Sequence, residues 1–193
     1  MKHLIIYSNP EEESFSHEIK EYVKRFSKEN RNEVIIRDLY KLGFDPVLSK
    51  EEVRLQDEEK VVDEIKREQE YIDWADFITF IYPVWWMIPA MVKGYFDRVL
   101  SYGYAYRFED GKPKALLNKK ALRYNPMGTP RNIYEKNGLR KAYEKVIDSG
   151  ILQSSGIEVV DSILFGGNPR EDKDLQEKYF DELDNSLRKN LLI

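Results

Sequence analysis

Three short segments hold most of the chemistry available to this 193-residue chain: SNPEEESFS at 8–16, PVWWMIP at 83–89 and NPMGTP at 125–130. In the first, Ser14 and Ser16 stand where a helical pattern begins. Free backbone N–H groups, hydroxyls and the helix dipole suit such a place to an anion, although serine is equally a preferred N-cap. The glutamates at 11–13 fit beside an anion only if they point outward. In the second segment the backbone between Pro83 and Ile88 can meet the polar edge of a planar ring, with Val84, Trp85, Trp86 and Met87 around it. A tryptophan buries roughly 150–250 Å², worth several kcal/mol at about 25 cal/mol per Å², so a ligand, a second subunit or another loop has to cover this pair. In the third segment Gly128 permits close backbone approach and Thr129 offers a hydroxyl.

Other chemistries are excluded or disfavoured. There is no cysteine, which removes thiol redox chemistry, disulfides and thiolate metal sites. Only His3 and His17 supply imidazoles, and His3 lies inside an apolar run, so no metal site is expected. A net charge of −4 argues against nucleic acid as partner. With 34% charged and 41% hydrophobic residues the composition is that of a globular domain, and no apolar run has the length of a membrane span. The expectation is a single domain over 1–193, cytoplasmic and without membrane insertion.

The positions of the three segments follow from the elements around them. Strands are expected at 2–7, 33–38, 77–82, 119–124 and 157–165, from short β-rich runs bounded by turn residues. Helices are expected from apolar spacing through Ile19, Tyr22, Val23 and Phe26, then over 61–74, from Pro89 to about Leu100, over 134–152 and over 172–191. The stretch around EEVRLQDEEK reads as a loop with short helical pieces. Five strands alternating with helices predict a doubly wound α/β fold, a five-stranded parallel sheet covered on both faces, for which right-handed crossovers leave few topologies. All three segments then leave the carboxyl ends of strands, where open α/β sheets bind ligands. A phosphate site, an aromatic wall and a close-approach loop on one edge describe a flavin nucleotide pocket, and no dinucleotide-fold glycine fingerprint or Walker loop competes.

Over nearly its whole length the chain resembles the DT-diaphorase-type NAD(P)H:quinone oxidoreductases, flavodoxin-like proteins that include ancillary subunits of potassium efflux systems. The resemblance is carried by YPVWWMIPAMVKGYFDRVL, by GYAYRF at 103–108, and by SNPEEESF and SGILQSSGI in matching order. It implies the flavodoxin-like strand order 2-1-3-4-5, a bound flavin, FMN with FAD as the alternative, and NAD(P)H as co-substrate. Ring contacts map onto Pro83, Val84, Trp85, Trp86 and Met87, and phosphate or ribityl contacts onto Ser14, Phe15 and Ser16. Asn9 stands where relatives carry a histidine. The family's Thr-Thr-Gly-Gly run reads Pro126, Met127, Gly128, Thr129, with one amide donor lost to proline. The family's active-site tyrosine matches Tyr134, and its histidine partner falls near Arg140. The resemblance further implies a ping-pong reaction, in which a hydride goes from NAD(P)H to the flavin and a quinone then takes two electrons. It also implies a homodimer whose pocket is completed by Tyr104, Tyr106 and Phe108. Three alternatives stay open: a potassium-efflux ancillary subunit, a one-electron flavodoxin-type carrier, and a member whose altered loop at Pro126 no longer binds flavin.

Overall fold

The computed structural model describes residues 1–192. Its main sheet has five parallel strands: β1 (Lys2–Tyr7), β2 (Glu33–Asp38), β3 (Phe77–Ile81), β6 (Lys119–Met127) and β7 (Ile157–Gly166). Their spatial order is β2-β1-β3-β6-β7, which is 2-1-3-4-5 for the parallel strands alone. The order reverses between β1 and β3, so the crevice that accepts ligands in such sheets opens above these two strands.

Alternation along β1 shows how the sheet divides the core. Leu4 and Ile6 face one side, with Ile65 and Ile72 of α3 (Asp63–Trp74) and Val92 and Phe96 of α4 (Ala90–Val99). Ile5 and Tyr7 face the other, with Ile19 and Val23 of α1 (Phe15–Glu29) and Leu183 and Leu187 of α7 (Lys173–Leu191). A strand buried on both faces is apolar at every position, as LIIY in β1 and FITFI in β3 nearly are.

Three features depart from the expected elements. The polar stretch near residue 50 forms α2 (Lys50–Asp57), opened by a full capping box in which Ser49 and Glu52 satisfy each other's backbone N–H. Residues after α4 form an antiparallel hairpin of β4 (Tyr106–Glu109) and β5 (Lys112–Ala115). Its turn is Asp110-Gly111, both at positive φ (52° and 72°), the pair that a two-residue hairpin turn demands. The expected long helix over 134–152 is instead α5 (Arg131–Lys136) and α6 (Leu139–Glu144), separated at Gly138 with φ 73°, and then a π-helical segment (Lys145–Leu152). The interruption points Tyr134 and Tyr143, both buried, from two separate short helices.

Candidate active site

Four chain segments leave the carboxyl edge of the sheet and meet above it. The loop after β1 runs into α1, whose N-cap is Ser14: its Oγ accepts the His17 N–H at 3.2 Å and donates to the Glu11 carbonyl at 2.8 Å. Ser16 is buried, and its Oγ accepts from Asn9 Nδ2 at 3.2 Å, which leaves the serine proton free to donate. The backbone N–H groups of Phe15 and Ser16 have no partner among the described residues. The Phe15 ring turns away into the core, edge-on to Phe165 at 5.7 Å. The glutamates do face outward, Glu12 pairing with Lys41 at 2.7 Å and Glu11 receiving the Glu13 N–H at 3.2 Å.

Residues 166–170 form the segment the sequence reading missed. Gly167, Asn168, Pro169 and Arg170 join Asn9, Ser14, Phe15, Ser16, Pro83, Val84, Trp85, Pro126, Met127 and Gly128 around a cavity of about 230 Å³. No carboxylate lines it. Arg170 donates to the Glu13 carbonyl and sits 3.4 Å from Glu18, so its guanidinium is held against the N-terminal turn of α1 beside the cavity. The pair of glycines directly after the last strand, followed by a cation, was the available signal. Gly166 is the true close approach at this edge: a Cβ there would stand 2.5 Å from Arg131 N and 2.6 Å from Thr129 O, whereas Gly128 has open space around it.

A second cavity of about 390 Å³ adjoins the first, sharing Val84, Met127 and Gly128 with it. Its other walls are Trp86, Met87, Thr129, Tyr134 and Leu139, mostly apolar. Trp86 and Met87 both hold positive φ (46° and 84°), an arrangement costly for residues with a Cβ and found where a site imposes it. Trp85 is half exposed and Trp86 is 100% exposed, so the subunit covers the first only in part and the second not at all. The Tyr134 hydroxyl reaches Met87 Sδ at 3.5 Å, and burial raises its pKa above the usual phenol value. The two cavities offer a slot for a flat ring and, beside it, an anion site built from amides, hydroxyls and a guanidinium. The donor set therefore fits a flavin mononucleotide.

Not every expected residue comes here. The Tyr104 hydroxyl, with one proton to give, lies 2.8 Å from Asp73 Oδ1 and 3.0 Å from the Gln69 carbonyl, away from both cavities. Tyr106 and Phe108 pack edge-on at 6.3 Å on the hairpin and line a separate groove against α4. Arg140 pairs with Glu135 at 2.7 Å and Glu144 at 2.9 Å, and it is Leu139 that faces the ring slot. No cluster of potential metal ligands occurs among the described residues, and no described helix is long and apolar enough to cross a membrane.

Residues 1–187 match a family model described as flavodoxin-like fold. An uncharacterized NAD(P)H oxidoreductase of Haemophilus influenzae is 39% identical over 169 residues, covering 86% of this chain and 84% of the relative. NAD(P)H dehydrogenase [quinone] 1 of Cavia porcellus is 29% identical over 186 residues, covering 85% and 68%. Among solved structures, the NAD(P)H:quinone oxidoreductase from Methanothermobacter marburgensis superposes with a TM-score of 0.89 at 29% identity, covering 99% of this chain and 98% of the other. By sequence, topology and the build of its carboxyl-edge cavities, this chain belongs to the NAD(P)H:quinone oxidoreductase family of flavodoxin-like proteins.

Proposed function

We propose that this protein is an FMN-dependent NAD(P)H:quinone oxidoreductase. The observation that carries the reading is the pair of adjoining cavities: one mostly apolar, the other lined by Asn9, Ser14, Ser16 and Arg170, joined through Val84, Met127 and Gly128. One ring and one phosphate account for both.

FMN held there supplies two-electron chemistry, by which NAD(P)H, a proton and a quinone become NAD(P)⁺ and a quinol. The residues present do the rest. Phe15 and Ser16 amides, the Ser16 hydroxyl and Arg170 hold the phosphate, with the α1 dipole adding to the attraction. Met87, Val84 and Met127 line the slot and exclude water, which strengthens every polar contact inside it. Tyr134 keeps its phenolic proton through the neutral range and would be placed to donate a hydrogen bond to a flavin held in the slot. Its resting acceptor, a thioether, is weak and gives way to a better one. No general base with a shifted pKa is required.

The exposed Trp85 and Trp86, together with Tyr106 and Phe108 on the hairpin, support a homodimer in which one subunit's aromatics cover the other's slot. A broad aromatic slot takes quinones and other flat acceptors. The reaction belongs in the cytoplasm, where the nicotinamide donor is kept reduced. Dialysis against FMN, followed by the spectrum and mass of the chromophore released on denaturation, tests the cofactor: a retained FMN supports the reading, and colourless protein defeats it.

A further inference from the structure

Behind the ring slot, a run of hydrogen bonds crosses from the helical layer to the loop that carries the tryptophans. Arg123 lies in β6, wholly shielded from solvent. Its Nε and Nη2 donate to the Asp148 carboxylate at 2.7 and 3.0 Å, and its Nη1 donates to Asn125 Oδ1 at 2.5 Å. The guanidinium also stacks 4.6 Å from the centre of the Tyr143 ring. Asn125, equally buried, continues the run: its Nδ2 donates to the Tyr82 carbonyl at 2.8 Å. One residue on, the Pro126 carbonyl accepts the Val84 N–H at 2.8 Å. Residues 125 and 126 therefore grip the chain on both sides of Pro83, where β3 gives way to the loop. Beyond Val84, the amides of Trp85, Trp86 and Met87 have no partner among the described residues.

The far end of the run is set by the π-helical segment. Buried residues there step by four from Tyr143 to Ile147 and by five from Ile147 to Leu152, and the wide turn keeps Asp148 aimed at β6. π-turns recur at functional positions. Stability alone is a poor reason for such a set, because a buried ion pair is often matched or bettered by apolar residues of the same volume. What the pair does uniquely is fix the Asn125 amide. Its oxygen is claimed by Arg123, so its NH₂ must face Tyr82.

We propose that Asn125, oriented by Arg123 and Asp148, is a positioning residue that sets the 83–88 loop against the 126–130 loop and so fixes the width of the ring slot. The inference builds on the flavin reading of that slot. It also bears on the donor missing at Pro126: where an amide N–H is lost to proline, a side chain one residue earlier ties the two loops together instead.

The test uses the full-length protein and Asn125→Asp, which keeps shape and the bond from Arg123 but turns an acceptor toward the Tyr82 carbonyl. Amide hydrogen exchange of the flavin-free protein, followed by NMR, is expected to quicken about tenfold or more at Val84 while the amides of Leu4 and Ile5 are unchanged. FMN affinity is expected to fall about tenfold, the equivalent of one lost hydrogen bond. Asn125→Ser, which removes the amide, gives the same readouts if the carboxylate variant does not fold. Unchanged exchange at Val84, or equal acceleration across the sheet, overturns the positioning role. Faster exchange at Val84 with unaltered FMN affinity overturns its link to the ring slot. Wild-type protein that retains no FMN defeats the flavin reading, and Val84 exchange still decides whether Asn125 positions the loop.

Discussion

The Tyr134 hydroxyl points at Met87 Sδ from 3.5 Å, its one hydrogen bond among the described residues, from a phenol buried in the wall of the ring slot. A thioether is a poor acceptor, so the fold gains little from that hydroxyl and the site keeps a donor in reserve. Tyr134→Phe is therefore expected to leave the melting temperature nearly unchanged while lowering kcat for quinone reduction roughly ten- to a hundredfold, the range for loss of one preorganised donor. Because burial raises the phenol's pKa, the activity that depends on it should stay level across neutral pH and decline only in strongly alkaline solution. Steady-state kinetics of the variant against pH checks both points, and full activity removes Tyr134 from the mechanism.

Arg170 is the only cation lining the anion cavity, and its Nη1 is tethered to the Glu13 carbonyl. Arg170→Gln is expected to weaken FMN binding about tenfold and leave riboflavin binding unaltered, since only FMN carries the phosphate. The difference should shrink as salt is raised. Fluorescence titration with both compounds measures it, and equal losses for both would move the phosphate elsewhere.

His3 is buried between Ser27 Oγ and Thr79 Oγ1, each 2.7 Å from a ring nitrogen, and burial lowers its pKa to about 4. In the unfolded chain it titrates near 6.5. Between these values the unfolded state binds a proton that the folded state refuses, so stability is complete above pH 6.5 and falls as pH drops, levelling off below about 4. The loss from this residue is about 2 kcal/mol at pH 5 and about 3 kcal/mol in full. Urea unfolding at pH 7.5 and pH 5 should show it, with the difference reduced in His3→Gln. A pH-independent midpoint would contradict the burial of a neutral imidazole.

Trp86 is fully exposed and the aromatics of the hairpin face a groove outside the slot. Light scattering is expected to give a dimer at micromolar concentration, with an isologous interface of more than about 1,200 Å². Trp86→Ser should weaken quinone KM more than it disturbs folding. A monomer would detach Tyr106 and Phe108 from the reaction.

Much of this was legible in the sequence because the sheet is buried on both faces. Runs such as LIIY and FITFI admit few other readings, and right-handed crossovers leave few topologies, among which the family resemblance implies the order 2-1-3-4-5 that the sheet shows. The loops after β1, β3 and β6 were placed by the same logic. The hairpin had its sign in Asp110-Gly111, yet two four-residue strands with no buried position give almost no periodicity. The break at Gly138 was written in a glycine amid a helical pattern, but a π-helical segment has no composition of its own. Arg140 sat at the right spacing for the slot. Glu144 on its own helix and Glu135 on the helix before it hold it away, a competition that spacing along the chain does not reveal. Residues 167–170 were missed because a lone basic residue in a polar loop reads as solvated surface until the fold brings it opposite Ser16.

The central claim is that this edge of the sheet binds FMN and uses it to carry electrons from NAD(P)H to a quinone. Its most direct measurement is NAD(P)H oxidation by protein saturated with FMN and freed of excess, with and without a quinone such as menadione. The account predicts rapid oxidation only when quinone is present, with NAD(P)H and quinone consumed in equal amounts and the rate lost when FMN is stripped. Oxidation no faster than free FMN supports, with quinone present, would contradict it.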